Sequence, residues 1–367
     1  GRRSGSRMIP FMSLAPGEDA ADIRAGIDRV IARGWFILGP ELEAFEAEFA
    51  AAAGAKYAIG VGTGTDAIAL ALRALNIGPG DEVITSPLSA AYSALAIMMA
   101  GATPVFADLD PSRLTLDPAR VEAAITPRTA AILPVHLYGQ PADMVAIEAI
   151  ARRHNLVIVE DACQAHLATS TGRPVGTIGA AGAFSFYPTK NLGALGDAGA
   201  IITSDATMAE RLKRLRNGGQ TNRYHHLEFG VNTRLDEMQA AVLRARLPRL
   251  AGWTSRRRAL ATRYRAALQG APLTVPAEHD PGHVYHLFPV LSDQRERFQA
   301  HLKASGIETL IHYPVAIPKQ PALAAIETAP CPIAERVCDE VFSLPLHPAL
   351  SDAEVDTTAA AVHTFPR

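Results

Sequence analysis

The most informative part of this chain is residues 183–193, which read AFSFYPTKNLG. The first part of this segment is apolar and strand-like, and a single lysine, Lys190, follows it in a turn of Pro, Thr, Asn and Gly. Upstream, the apolar run at 156–159 is typical of a buried strand, and it ends in Glu160 and Asp161. We therefore expect Lys190 and Asp161 to emerge from neighbouring strand ends.

An amine and a carboxylate in that arrangement suit an enzyme that uses pyridoxal 5'-phosphate. The amine forms a Schiff base with the coenzyme aldehyde, and the carboxylate keeps the pyridine nitrogen protonated so that the ring can accept electrons. Gln164 could reach the phenolic oxygen of the same ring, and Ser185 adds a hydroxyl donor. Taken alone, Lys190 is more often a solvated loop lysine, and an acid such as Asp161 at a strand end is often just a helix cap.

A glycine-rich loop at residues 60–66 joins an apolar strand to a helix. Its glycines let the backbone approach an anion, and the free N–H groups of the helix start can hold a phosphate. Gly64, Thr65 and Asp66 are therefore predicted to form a phosphate cup. The alternative is a tight turn in which Thr65 is the helix N-cap.

The same loop weakly matches a dinucleotide-binding fingerprint, so an NAD(P)-linked oxidoreductase is an alternative. That fingerprint needs an acidic residue after the next strand to bind the ribose. Asp81 and Glu82 instead precede that strand. The oxidoreductase hypothesis therefore rests on the glycine loop alone.

Between residues 56 and 205, short apolar runs alternate with helix-period segments. This alternation predicts an α/β fold with a mostly parallel sheet that helices cover on both faces. A helical pattern then runs from Leu235 past Pro248 to about Leu268 and leads into a mixed C-terminal part. The predicted strands are 57–61, 82–85, 103–107, 130–135 and 156–159, and the predicted helices are 65–75, 90–100, 143–154, 295–304 and 352–363.

Composition narrows the class of protein. The 367 residues predict about two domains. A hydrophobic content of 48% and a charged content of 20% are typical of a soluble globular protein. The net charge of −2 favours neither nucleic acid nor a membrane surface as a partner.

Two further patterns bear on location and metals. Cys163, Cys331 and Cys338 form neither a disulfide framework nor a metal-ligand spacing, so we expect a reducing compartment, the cytoplasm, and no metal. The uncharged stretch at 84–107 is long enough to suggest a membrane span. Prolines and a glycine divide it, however, so it is interpreted as a buried strand, helix and strand.

The chain resembles the DegT/DnrJ/StrS-type sugar aminotransferases, a family of pyridoxal phosphate enzymes of fold type I, from about Ile9 to its end. The matching blocks are GWFILGP at 34–40, GTDA at 64–67, PVHLYG at 134–139, EDACQAH at 160–166, SFYPTKNLG at 185–193 and NTRLDE at 232–237. The resemblance implies a large α/β domain at 8–245, with residues 8–40 near the small domain, and a smaller α+β domain at 246–367. Residues 1–7 are expected to be a tag or disordered.

The resemblance also implies the chemistry. L-Glutamate, the usual donor in the family, would leave its amino group on the cofactor as pyridoxamine 5'-phosphate, which then aminates a keto group of a nucleotide-linked sugar. Lys190 would form the Schiff base and then move the proton, Asp161 would pair with the ring nitrogen, and Gln164 would contact the ring oxygen. A family branch with histidine in place of the lysine performs dehydration, and Lys190 argues against that branch.

Phosphate binding and assembly follow from the same resemblance. Thr65, Asp66 and Ser185 would hold the phosphate, and Asn232 would reach the phosphate of the neighbouring subunit's cofactor. The last role implies a homodimer with shared active sites. Leu88 stands where the family usually places an aromatic ring or a histidine over the cofactor, and Tyr92, one helical turn on, is an alternative ring contact.

The blocks at 139–144, 190–197, 216–220 and 223–226 look most like the subgroup that acts on 3-keto-6-deoxyhexoses. The preferred substrate is therefore a dTDP-3-keto-6-deoxyhexose, which would give a 3-amino sugar. A 4-keto nucleotide sugar, a keto-inositol and a regulatory protein that binds the cofactor without turnover stay open. The candidate substrate contacts are Tyr187, His225, His226, Tyr313 and Lys319.

Overall fold

The computed structural model describes residues 8–366, so the expected tag at 1–7 lies outside the described residues. The strands are β1 (Tyr57–Val61), β2 (Glu82–Thr85), β3 (Thr103–Phe106), β4 (Thr129–Leu133), β5 (Val157–Asp161), β6 (Thr169–Ser170), β7 (Arg173–Pro174), β8 (Ala181–Ser185), β9 (Gly199–Thr203), β10 (Gln220–Asn222), β11 (His225–His226), β12 (Phe288–Leu291) and β13 (Val341–Leu344). The α-helices are α1 (Ala20–Arg33), α2 (Pro40–Ala53), α3 (Gly64–Ala74), α4 (Tyr92–Met99), α5 (Pro118–Ala123), α6 (Met144–His154), α7 (Ala206–Leu215), α8 (Glu237–Arg246), α9 (Leu250–Ala267), α10 (Arg295–Ala304), α11 (Pro332–Glu340) and α12 (Asp352–His363).

A seven-stranded sheet with the order β1-β9-β8-β5-β4-β2-β3 organises the larger part of the chain. Strands β3, β2, β4, β5 and β8 pair in parallel, whereas β9 is antiparallel to both β8 and β1. The predicted mostly parallel α/β sheet is thus confirmed. Since β5 and β8 are parallel neighbours, with Asp161 opposite Ala183, their carboxyl ends lie together.

Helices cover both faces of this sheet. Neighbouring residues of a strand face opposite sides, and in β9 Ile201 enters an apolar layer with α3 and α7, while Ile202 enters a layer with Phe45 and Phe49 of α2. Burial on both faces explains why the strands are almost continuously apolar rather than alternating.

Several predicted strands and helices differ from the structure by one or two residues at an end. Strand β5 extends to Asp161, beyond the predicted end at residue 159, so the carboxylate belongs to the strand itself. The helical pattern after Leu235 is divided by a 3₁₀ turn at Leu247–Arg249, which separates α8 from α9. Pro248 lies in this turn, and it has no backbone N–H to donate, so a continuous helix is interrupted there.

The C-terminal part has a core of its own. Strands β12 and β13 pair antiparallel, and α9, α10 and α12 pack with them around Phe288, Phe298 and Phe342. The start of the chain joins this part, since Ile9 bridges Ile307. The predicted helices at 295–304 and 352–363 are confirmed at both ends, whereas the boundary at 245/246 stays a prediction.

Three observations concern the expected location and metals. No helix among residues 8–366 is long and apolar enough to cross a membrane. The three cysteines are free. In the same described range, no group of His, Cys, Asp and Glu side chains is arranged to hold a metal ion.

The close approach of β8 to its neighbouring loop can be tested with two glycine substitutions. A Cβ atom at Gly182 would lie 2.3 Å from the Cα of Gly176, so Gly182→Ala is expected to lower the free energy of unfolding by about 3 kcal/mol. Gly252→Ala is the control, because a Cβ there meets nothing within 4 Å and alanine in α9 should add about 0.5–1 kcal/mol. Urea unfolding measures both, and a wild-type midpoint for Gly182→Ala would contradict the packing.

Candidate active site

The carboxylate of Asp161 is held from two directions at the carboxyl end of β5. The Ser93 hydroxyl in α4 donates to Oδ2 at 2.7 Å, and the backbone N–H of Cys163 donates to Oδ1 at 3.2 Å. The Ser93 hydroxyl also lies 3.0 Å from that of Ser89. Sequence reasoning missed Ser93, although its one-turn spacing from Ser89 could have indicated a paired hydroxyl.

Lys190 lies in the turn that follows β8. Its backbone N–H donates to the carbonyl of Tyr187 at 2.9 Å. Burial lowers the pKa of the Lys190 amine, and the charges of Cys163 and Asp161 act in the opposite direction. The charge of Asp161 acts on this amine, so the two predicted catalytic groups are near each other, and their roles stay predictions.

Three histidines surround this site and carry no charge near neutral pH. Burial lowers the pKa of His166 to about 3 and that of His312 to about 4, and it brings the pKa of His286 well below its usual value. The positive charge of Lys190 lowers each of these pKa values further.

The start of α3 lies against the ends of β5 and β8. A Cβ atom at Gly64 would lie 2.8 Å from the Cys163 sulfur and 2.8 Å from the Ser185 Cβ. Glycine is required for this approach. It brings the helix start, the predicted phosphate-binding position, next to Ser185 and the Asp161 segment.

A threonine caps α3, but it is Thr63. Its Oγ1 accepts a hydrogen bond from the N–H of Asp66 at 3.0 Å, so the alternative in which Thr65 is the N-cap is wrong. The Asp66 carboxylate accepts a hydrogen bond of 2.6 Å from the hydroxyl of Thr233, which itself accepts one from the N–H of Gly62 at 2.8 Å. Thr233 thus joins the glycine loop to the segment around residue 232.

Gln164 and Tyr313 form one hydrogen-bonded chain. The Gln164 amide donates to the Tyr313 hydroxyl at 2.7 Å and accepts from the N–H of Tyr138 at 2.8 Å. Burial raises the pKa of Tyr313 to about 12, so its hydroxyl is neutral. Tyr313, predicted as a substrate contact, therefore reaches from the C-terminal part to the predicted ring-oxygen partner.

Leu88 is fully buried in an apolar cluster that also holds Phe11 and Tyr138. Tyr92, the alternative ring contact, has 61% of its surface exposed. Contact of Leu88 with a cofactor ring stays a prediction.

The remaining predicted residues are at the surface of the single chain. Tyr187, whose carbonyl contacts Lys190, is exposed. Asn232 and the two histidines of β11, His225 and His226, are exposed as well. Lys319 forms an exposed ion pair of 3.4 Å with Glu335. Their hydrogen bonds and ion pairs do not include the Lys190 side chain, and their roles stay predictions.

The residues present fit pyridoxal 5'-phosphate. Lys190 offers an amine of lowered pKa, Asp161 an oriented carboxylate, and Gln164 an amide. The N–H of Asp66 is taken by the Thr63 cap and that of Ala67 makes the first helical hydrogen bond of α3, so the N–H groups of Gly64 and Thr65, with Ser185 beside them, can receive a phosphate.

This site lies in an α/β fold that known proteins share. The chain matches the DegT/DnrJ/EryC1/StrS aminotransferase family over residues 18–363, and it belongs to that family. It is 50% identical to the dTDP-3-amino-3,4,6-trideoxy-alpha-D-glucose transaminase of Streptomyces venezuelae, over 95% of this chain and 93% of the relative. It is 47% identical to the erythromycin biosynthesis sensory transduction protein EryC1 of Saccharopolyspora erythraea, over 96% of this chain and 98% of the relative. Among solved structures, that of S. venezuelae DesV in complex with a ketimine intermediate matches with a TM-score of 0.95 and 49% identity, over 98% of each chain.

The lowered pKa of Lys190 makes its reactivity testable. Because burial favours the neutral amine, modification of Lys190 by an amine reagent should be half-maximal below the ordinary lysine value of 10.5. Asp161→Asn removes a negative charge that favours the protonated amine, so it should move the midpoint lower still. Mass spectrometry of the labelled peptide measures both midpoints, and a higher midpoint in Asp161→Asn would contradict the assigned contact.

Proposed function

We propose that this protein is a pyridoxal 5'-phosphate-dependent aminotransferase that transfers the amino group of L-glutamate to a dTDP-3-keto-6-deoxyhexose. The observation that carries this proposal is the Lys190 amine of lowered pKa in the field of the oriented Asp161 carboxylate. The relative from S. venezuelae is named for a 3-amino sugar, which supports a 3-keto substrate over a 4-keto sugar or a keto-inositol.

The residues of the site suit the parts of this reaction. When bound, the cofactor supplies a carbonyl carbon for amines and a ring that accepts electrons. Asp161 would hold a proton at the ring nitrogen. Lys190, with its lowered pKa, would remove and return the proton at the substrate carbon. Gln164 would orient the ring oxygen, and the start of α3 with Ser185 would bind the phosphate.

A regulatory protein that binds the cofactor without turnover is the second candidate, because EryC1 is named as a sensory transduction protein. The two candidates differ in the reaction with the donor. An aminotransferase converts its bound cofactor to the amine form when L-glutamate is added, and a binding protein does not. The absorbance of the purified protein reports that conversion directly.

Activity is tested by giving the protein L-glutamate and a panel of 3-keto and 4-keto nucleotide sugars, and by identifying amine products by mass spectrometry and NMR. We expect a 3-amino product from the wild type and a loss of at least about a thousandfold in Lys190→Ala and Lys190→Arg, because both lose the proton-transfer group. Lys56→Ala, at an exposed lysine, is the control and should keep full activity. Substantial turnover by either Lys190 variant would remove Lys190 from its role.

We further propose a homodimer with shared active sites. Asn232 is exposed in the single chain, as a residue that serves a neighbouring subunit would be. Large apolar side chains are also exposed, which is typical of a protein interface. They include Trp35, Phe36, Tyr92, Met99, Leu227 and Phe229.

Shared sites can be tested by mixing two impaired variants, Lys190→Ala and Asn232→Ala. In a hybrid dimer, one site would carry both substitutions and the other would carry neither. Random exchange should therefore restore about a quarter of the wild-type activity per subunit, since half of the dimers are hybrids with one intact site. The turnover rate of the exchanged mixture is the measurement, and activity equal to the mean of the separate variants would contradict shared sites.

A further inference from the structure

A cavity of about 450 Å³ lies next to the turn that carries Lys190. Residues 12–19, the first half of α9 and residues 347–349 form its other walls. Apart from Lys190, the groups assigned above to the cofactor do not line this cavity. Its polar lining indicates what kind of ligand it suits.

Arg257 in α9 is a charged group of this lining, and only 4% of its surface is exposed. Its Nη1 donates to the carbonyls of Tyr285, His286 and Leu346 at 3.1, 3.2 and 3.1 Å. Its Nε is buried without a partner, and within residues 8–366 neither Nη2 nor Nε hydrogen-bonds to any group. Burial lowers the pKa of Arg257 to about 10, so the guanidinium is charged at neutral pH.

His347 lines the same cavity and is 8% exposed. Its Nε2 atom is buried and has no hydrogen-bond partner among the described residues. Burial and then the charge of Arg257 lower the pKa of His347, so the two side chains act on each other. Unpaired buried polar atoms on two neighbouring side chains indicate a ligand or an ordered water between the walls.

The acidic residues of the cavity do not neutralise Arg257. Asp19 forms an ion pair of 2.7 Å with Arg246, and Glu18 accepts a hydrogen bond of 2.9 Å from the indole N–H of Trp253. No described carboxylate lies within ion-pair distance of Arg257. A buried cation without a counter-ion is costly, and an anion in the cavity would remove that cost.

We propose that Arg257 and His347 form a binding site for the carboxylate of a small molecule, namely the side-chain carboxylate of a dicarboxylic amino donor and of its 2-oxo acid. The free edge of the guanidinium, Nε with Nη2, is the edge that binds a carboxylate through two parallel hydrogen bonds. The inference rests on the proposed aminotransferase function, since the donor amine must come to Lys190, which lines the same cavity.

Calorimetry with the cofactor-loaded protein tests binding without turnover. Glutarate, a dicarboxylate without an amine, should bind to the wild type and at least about tenfold more weakly to Arg257→Lys and His347→Gln, which lose hydrogen bonds to a charged group. Arg263→Met is the matched control, because Arg263 is an exposed residue of the same helix that pairs with Asp356 at 2.6 Å. Equal glutarate affinity in all four proteins would overturn the site.

Two further measurements distinguish a site for the amino donor from a site for any small anion. If inorganic phosphate binds as tightly as glutarate and with the same dependence on Arg257, the site takes free anions and the assignment to the donor is overturned. If the site serves the donor, Arg257→Lys should raise at least about tenfold the L-glutamate concentration that gives the half-maximal rate of cofactor conversion in the donor half-reaction, and leave the value for L-norvaline, which lacks the side-chain carboxylate, unchanged.

The outcomes remain interpretable if one variant is unstable. Arg257 also bridges three carbonyls, so far-UV circular dichroism must first show a folded Arg257→Lys protein, and His347→Gln carries the test if it does not. Neither measurement uses a sugar. Failure to aminate any keto sugar, with normal conversion by L-glutamate, would therefore refute the proposed acceptor and leave the carboxylate site standing.

Discussion

A buried carboxylate at the end of a central strand is the group on which this site depends. Asp161 is only 4% exposed, and such a charge is stable in a protein only when hydrogen bonds or an opposite charge compensate its lost hydration. Ser93 and the backbone of Cys163 supply the hydrogen bonds, and the Lys190 amine is near enough for its pKa to be raised by the charge of Asp161. The parallel pairing of β5 with β8 makes this possible, because it brings both strand ends to the same edge.

Glu160, the residue before Asp161, makes its contacts on the opposite face of β5. Glu160 is fully buried, and its two oxygens accept hydrogen bonds from the N–H groups of Gly176, Ile178 and Gly179, each at 2.8 Å. His136 adds a contact of 2.9 Å. Since neighbouring strand residues face opposite sides, Glu160 anchors the connection from β5 to β8 while Asp161 faces the site. Of these two adjacent acidic residues, Glu160 thus stabilises the fold and Asp161 belongs to the predicted site.

The two parts of the chain meet at this edge as well. Tyr313 of the C-terminal part binds Gln164 beside Asp161. Asp108, which follows β3, accepts hydrogen bonds from the N–H groups of Ile333 and Ala334 at the start of α11, at 2.9 and 3.0 Å. A carboxylate at a helix start is favourable because it pairs with free N–H groups and with the helix dipole. These contacts join the C-terminal part to the sheet of the larger part.

Apolar periodicity and end signals act locally, so they were enough to predict strands β1 to β5, helices α10 and α12, and the neighbouring strand ends from which Asp161 and Lys190 emerge. The helix at 352–363, for example, begins with a capping box of Ser351 and Glu354. Three features appear only in the folded chain. Strand β9 lies antiparallel between β8 and β1, Ser93 donates a hydrogen bond to Asp161, and the Nε of Arg257 is buried without a hydrogen-bond partner among the described residues. Each of these features depends on which distant segments come into contact. Burial, charge compensation and close packing between distant segments cannot be read from local periodicity.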